Sequence, residues 1–207
     1  MTANHQRFEC LHEIVNAARD SLNADIWDYL RGGTDSETTV MRNRLALDSL
    51  AFRPRVLVDV AEVSCRTHFL GHDLRLPVTM APVGSLESFA EGGGVTAHAG
   101  AAEFGAGFCI SSVSSFSLED VAAAGNGLKI FQLYKRGDAD WADAIVERAI
   151  AAGYDAFCFT VDSAFYSRRE RDIAKRFVKP WVASSTGRDW QAQLNWDDVI
   201  RYRDKYE

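Results

Sequence analysis

The sequence predicts an α/β protein: a helical N-terminal segment followed by a series of βα units with a parallel sheet. Three observations predict it. Apolar runs of strand length recur at 78–83, 108–112, 128–133 and 157–161. Helical patterns at 94–104, 118–124 and 139–152 fill the gaps. The repeat of roughly 20 to 30 residues suits strand, crossover helix and strand joined in the right-handed sense. With 207 residues, 47% of them hydrophobic and 25% charged, the chain can bury one sizeable core and lacks the composition of a disordered protein. A net charge of -6 argues against a nucleic-acid partner, which would need a concentrated basic surface. No apolar run has the length of a membrane span, and MTANHQRFEC lacks the apolar centre of a signal peptide. The expectation is a cytoplasmic protein without a membrane anchor.

In order along the chain, residues 8–20 carry a helical pattern. A second helix follows, with Asn23 as its N-cap and Gly32-Gly33 as its stop. Ile26, Tyr29 and Leu30 share a face of that helix, which makes Tyr29 a core residue unless its hydroxyl serves a ligand. Residues 34–50 read as helix again and 52–55 as an extended exit. Alternation between 56 and 76, with Gly71-His72-Asp73 at its centre, predicts strands joined by a turn. The expected division is therefore an N-terminal helical segment and hairpin over 1–76, and βα units over 77–207. Cys10, Cys65, Cys109 and Cys158 are widely spaced; Cys109 and Cys158 fall in apolar strands and read as buried, reduced thiols. Cys65, His68 and His72 imitate a metal-ligand spacing, but no fourth ligand is evident, so a surface hairpin is the better reading and no metal is expected.

Chemistry collects where the apolar runs end. Pro82-Val83-Gly84, Ser111-Ser112, Gln132 with Tyr134, and Thr160 with Asp162 follow the four runs in turn. In a (β/α) barrel the active site lies at these C-terminal ends. Small or hydrogen-bonding groups there suit a flat polar cofactor, because backbone must approach closely and donors must sit on rigid elements. Beyond the last run, Arg168 and Arg169 suggest an anionic substrate, while Arg168, Glu170, Arg171, Lys175 and Arg176 also fit a solvated helix face with Glu170 as internal partner. Glu91-Gly92-Gly93-Gly94 opens a helix but follows no strand directly, so a dinucleotide-binding fingerprint is not supported.

APVG at 81–84, ISS at 110–112, FQLY at 131–134, TVDS at 160–163 and RRExDIxxRF at 168–177 together resemble the FMN-dependent 2-hydroxy acid oxidase and dehydrogenase family. DYLRGGTDSE at 28–37 and FRPRVLVDV at 52–60 resemble its N-terminal segment. The resemblance implies the first half of a TIM (β/α)8 barrel, FMN as cofactor, and a glycolate-, lactate- or mandelate-like 2-hydroxy acid as substrate. It implies that Val83 and Gly84 meet the flavin through backbone, and that Ser111, Gln132 and Thr160 bond its polar edge. Tyr29 and Arg169 would hold the substrate carboxylate, and Tyr134 would face the substrate hydroxyl as the catalytic residue. An arginine suits that task because its planar fork binds a carboxylate at two points.

Departures from the family pattern are Val83-Gly84 after Ala81-Pro82, Ser163-Ala164 where Thr-Pro is common, and Val113 where an aromatic residue often faces substrate. Length is the largest. A full barrel takes about 250 residues, and only four βα units are legible here. By resemblance the other half would bring the histidine base, a lysine beside the flavin, a second arginine and the phosphate-binding loops. None of the histidines at 5, 12, 68, 72 and 98 follows a predicted barrel strand. The expectation is an N-terminal half, truncated or split, that is inactive alone and needs a C-terminal half or second chain, with a homo-oligomer once complete. The alternative is a non-catalytic half-barrel acting as a binding module. The polar loop 178–195 is expected to be mobile and non-anchoring, and Val78, Met80, Ile110, Ile130, Leu133 and Phe159 to line the barrel interior with incomplete packing.

Overall fold

A computed structural model describes residues 8–178 and 188–206, with the side chains of Arg188 and Asp189 outside the description. The chain forms two compact units. One takes the described residues up to Phe52 together with Ser167–Val178; the other takes Arg53–Tyr166 and the described residues from 188 onward.

The first unit holds four helices: α1 (Leu11–Ser21), α2 (Ala24–Arg31), α3 (Thr38–Asp48) and the short α7 (Glu170–Ala174). Asn23 caps α2 as expected, its Oδ1 accepting from Asp25 N at 3.1 Å and Ile26 N at 2.9 Å. Gly32 ends that helix, where an added Cβ would stand 2.7 Å from the Asp28 carbonyl oxygen. On the predicted apolar face Ile26 is buried and Tyr29 half-buried, but Leu30 is exposed. Charge joins α7 and its C-cap to α2 and to the residue that precedes α3. Arg171 meets both carboxylate oxygens of Glu37, at 2.5 and 2.7 Å, and Lys175 meets Asp28 at 2.6 Å and Asp25 at 3.3 Å. The cationic run after Arg169 is therefore neither a purely solvated face nor one balanced by Glu170.

The second unit opens with a segment that the sequence reading assigned to strand. Only Thr67–Phe69 (β1) and His72–Leu74 (β2) pair, antiparallel around Leu70-Gly71; Val56, Leu57, Val58, Val60 and Val63 are exposed and outside any ladder. Alternation without a covering face does not make a strand. Then come β3 (Thr79–Met80), α4 (Gly93–Phe104), β4 (Gly107–Ser111), α5 (Leu118–Ala123), β5 (Lys129–Leu133), α6 (Ala139–Ala151) and β6 (Ala156–Phe159). The four strands form one parallel sheet in chain order, β3-β4-β5-β6. Pro82, which lacks an N–H, limits β3 to two residues. Helices α8 (Arg188–Ala192) and α9 (Trp196–Tyr206) close the described chain. Residues 179–187 of the predicted loop lie outside the described residues.

Register fixes which residues face which way. In the parallel pairs Ile110 stands beside Phe131 and Leu133 beside Phe159, so these four share the side covered by helices, where Phe108, Ile110, Val121, Leu133, Val146 and Tyr202 make the core. Ile110 and Leu133 are 2% and 0% exposed. Met80, the register partner of Phe108, falls on the same side, so the expectation that Met80, Ile110, Leu133 and Phe159 line a barrel interior is wrong by one position of alternation, whereas Ile130 does face the other side. The opposite side carries Cys109 and Ser111, Ile130 and Gln132, and Cys158, a more polar set. On that side Cys158 is exposed rather than buried, because β6 is an edge strand among the described residues.

Candidate active site

The polar residues predicted at the strand ends fall there. Ser111 closes β4, Gln132 is the fourth residue of β5, and Thr160 extends β6, its N–H donating to the Leu133 carbonyl at 3.1 Å. Ser111 and Gln132 are register partners, each 2% exposed. The Gln132 amide nitrogen donates to the Thr160 hydroxyl, which joins two of the predicted contacts directly. Its carbonyl oxygen is buried with no hydrogen-bond partner among the described residues. Val83 is exposed and Gly84 half-buried; a Cβ on Gly84 would lie 2.8 Å from Val113 Cβ and 3.2 Å from Ser111 Oγ, so only glycine fits that approach.

Tyr134 follows β5, half-buried, with its N–H donating to Ser112 Oγ at 3.0 Å. Burial, and secondarily the Asp162 carboxylate, push its phenol above the ordinary value, so at neutral pH it is a proton donor. A bare buried amide acceptor, a buried hydroxyl and a backbone that a Cβ would obstruct, all at the sheet's C-terminal end, fit the edge of a flat ring bearing alternating N–H and carbonyl groups.

In the first unit Arg169 and Tyr29 come together. Arg169 Nη1 donates to the Tyr29 carbonyl at 2.8 Å, and its guanidinium carbon stands 4.7 Å from the Tyr29 ring centroid. Phe177 supports the other end of that ring at 6.5 Å between centroids. An isolated bridge between Asp35 and Arg169, with Asp35 N–H bonded to the Arg168 carbonyl at 2.7 Å, fixes the backbone beside the arginine. Arg168 is exposed whereas Arg169 is half-buried, which favours Arg169 as the anion binder.

The metal-like spacing resolves otherwise. His68 Nδ1 pairs with Asp73 and His72 Nε2 with Asp155, each at 2.9 Å, and among the described residues no cluster of metal-ligating side chains occurs. His98 is buried on α4 with Nδ1 against the Val121 carbonyl at 2.6 Å, and His12 lies on α1. Among the described residues no histidine stands at the C-terminal end of a sheet strand.

Two features escaped the sequence reading. Lys135, 7% exposed, pairs with Asp198 at 2.8 Å, while Asp143 on α6 takes Arg201 and Lys205 from α9. Glu87, in a 3-10 turn at Leu86–Ser88, bonds Ser115 of the next loop. Neither belongs to a recognisable motif, and each partner lies too far along the chain for spacing to reveal.

A four-stranded parallel sheet in chain order, with helices between its strands, is half of a (β/α) barrel. The chain belongs to the FMN-dependent dehydrogenase family, whose description matches residues 18–205. It is 40% identical over 175 residues to L-lactate oxidase of Nostoc sp., covering 82% of this chain and 48% of that protein. Against 4-hydroxymandelate oxidase of Amycolatopsis orientalis it is 36% identical over 176 residues, with coverage of 84% and 49%. A crystal structure of mandelate oxidase superposes with a TM-score of 0.85 at 33% identity, over 95% of this chain and 60% of that one. Another, holding an FMN adduct, gives 0.82 at 34% identity over 92% and 57%. The chain thus spans about half the length of the relatives it matches. Its sheet is the first half of the family's TIM barrel, and the family's cofactor is FMN.

Proposed function

We propose that this chain is the N-terminal half of an enzyme that oxidises a small 2-hydroxy acid to the 2-oxo acid with FMN. The observation that carries the reading is the Gln132 amide, buried at the strand ends with one polar atom bonded to Thr160 and the other bare. Bound there, the flavin supplies the two-electron acceptor that no amino-acid side chain can provide.

The remaining roles belong to this chain's own residues. Gln132, Thr160 and Ser111 orient the ring edge, and the backbone at Val83 and Gly84 accepts close approach because Gly84 carries no side chain. Tyr29 and Arg169 bind the substrate carboxylate, the ring packing against the guanidinium so that the fork keeps its orientation. Tyr134, protonated at neutral pH, donates a hydrogen bond to the substrate oxygen. No described histidine stands where it could take the hydroxyl proton, so further βα units, as continuation or second polypeptide, supply the base. The reading therefore makes the isolated chain inactive.

Flavin fluorescence tests it: FMN titrated into the purified chain should be quenched, and Gln132→Met should weaken that binding. A chain that leaves FMN fluorescence unchanged at millimolar protein contradicts the reading. A non-catalytic binding module is the second reading, favoured by the exposed edge strand β6, and full quenching without turnover in any completed enzyme would select it.

A further inference from the structure

We propose that Glu87 is a positioning residue for the flavin cradle, a carboxylate brace that locks the segment after β3 to the loop after β4. The inference rests on the flavin reading above, since both braced segments carry the predicted ring contacts: Val83 and Gly84 on one, Ser111 on the other.

One oxygen makes the brace. Glu87 Oε1 accepts the Ser115 N–H at 2.6 Å, the Ser115 hydroxyl and the hydroxyl of Ser85, whereas Oε2 is buried with no partner among the described residues. Burial raises the carboxyl's proton affinity, yet the donors from Ser115 and Ser85 outweigh it and hold the group below the ordinary carboxylate range. It is therefore ionised at neutral pH, and its three bonds converge on one accepting oxygen. The backbone of Glu87 is closely packed as well: a Cβ on Gly93, at the start of α4 with φ +43°, would stand 2.9 Å from Glu87 N. The carboxylate thus reaches Ser115 from backbone packed against the start of α4.

The brace bears on ring contacts because of what lies between its ends. Gly84, next to Ser85, packs on Val113 and Ser111, and Val113 N–H donates to Ser111 Oγ at 3.2 Å. Ser111 Oγ is therefore held by one loop and abutted by the other. If Ser115 is released, the loop from Ser112 to Phe116 can withdraw from Gly84, and the Ser111 hydroxyl loses the neighbour that sets its position. A binding constellation needs its supporting shell fixed to about 0.5 Å, and no other charged side chain among the described residues spans these two segments.

Three substitutions separate a brace from a generic stabiliser. Glu87→Gln keeps the accepting oxygen and the reach, Glu87→Asp keeps the charge but falls one methylene short, and Glu87→Ala removes both. FMN is titrated into each full-length variant by fluorescence quenching, and amide hydrogen exchange is followed in the flavin-free proteins. The expected result is FMN affinity lowered about ten-fold or more for Ala and Asp but within about three-fold of wild type for Gln. Exchange at 111–117 should quicken in the Ala and Asp variants while α6 is unchanged. Should Ala not fold, the contrast between Asp and Gln reads the same property. Equal FMN affinity across wild type, Asp and Gln overturns the inference, as does unaltered exchange at 111–117 in the Asp variant. No FMN binding by wild type is a different result: it overturns the flavin reading, and the positioning role with it.

Discussion

Gln132→Met separates a residue that serves a ligand from one that serves the fold. The side chain is 2% exposed, its nitrogen bonded to Thr160 and its oxygen bare. Methionine has nearly the same length and fills the same space without polar atoms. Without flavin, the change forfeits one neutral hydrogen bond, about 0.5 to 1.5 kcal/mol, and removes an unsatisfied buried acceptor that costs about 1 to 3 kcal/mol. The net effect on the flavin-free chain is near zero or stabilising. With FMN the sign reverses. The ring edge loses its amide partner and leaves its own polar group unmatched, about 1 to 3 kcal/mol, which is roughly a 5- to 150-fold weaker Kd. Because amide oxygen and nitrogen are interchangeable by rotation, and the ring edge alternates acceptors with a donor, either orientation gives the same expectation. Thermal unfolding without FMN and fluorescence titration with it read the two signs. A variant that is destabilised by more than about 2 kcal/mol yet binds FMN like wild type would show that Gln132 is a structural residue, and the argument would fail.

Three further outcomes are expected. Asp143 is held well below the ordinary carboxylate range, chiefly by Arg201 and despite burial, so its contribution is complete above the unfolded value near pH 4 and disappears as pH falls below it; Asp143→Asn should lower Tm at pH 7 and flatten the loss of stability between about pH 4 and pH 2. In an enzyme completed with the remaining βα units, Arg169→Lys should raise KM and lower kcat, since a point charge cannot copy a two-point fork; unchanged steady-state kinetics would remove Arg169 from the site. Burial pushes the Cys109 thiol up to about 12, whereas Cys10, Cys65 and Cys158 are exposed; at pH 8 a thiol reagent should label those three in the native chain and Cys109 only after denaturation, as mass spectrometry of the labelled peptides would show.

The order of elements was legible because strand and helix differ in period and because Asn23, Gly32 and Pro82 punctuate the chain by local stereochemistry. Facing was not. A parallel strand covered on one side by helices and lined on the other by mixed residues shows no clean alternation, so Ile110 and Leu133 could be assigned to either side until register with Phe131 and Phe159 fixed them. The segment 56–66 misled for the opposite reason: it alternates well, but no described strand pairs with it. Among the proposed site residues, Ser111, Gln132 and Thr160 stand out as polar groups ending apolar runs and Arg169 as one of an arginine pair beyond the last run, whereas the pairing of Tyr29 with Arg169 as a carboxylate clamp comes from the family resemblance. Glu87 and the partners of α9 act through contacts between residues 28 to 63 positions apart, which no short motif encodes.

We propose that this chain holds the flavin ring and the substrate carboxylate, and no described histidine stands where it could remove the substrate proton. The most direct test is anaerobic bleaching of bound flavin by glycolate, lactate or mandelate. The measurement is made first on the chain with FMN alone, then after adding a polypeptide that spans the last four βα units of mandelate oxidase. The account predicts an unbleached flavin with the chain alone and bleaching once the second polypeptide is present; bleaching by the chain alone would contradict it.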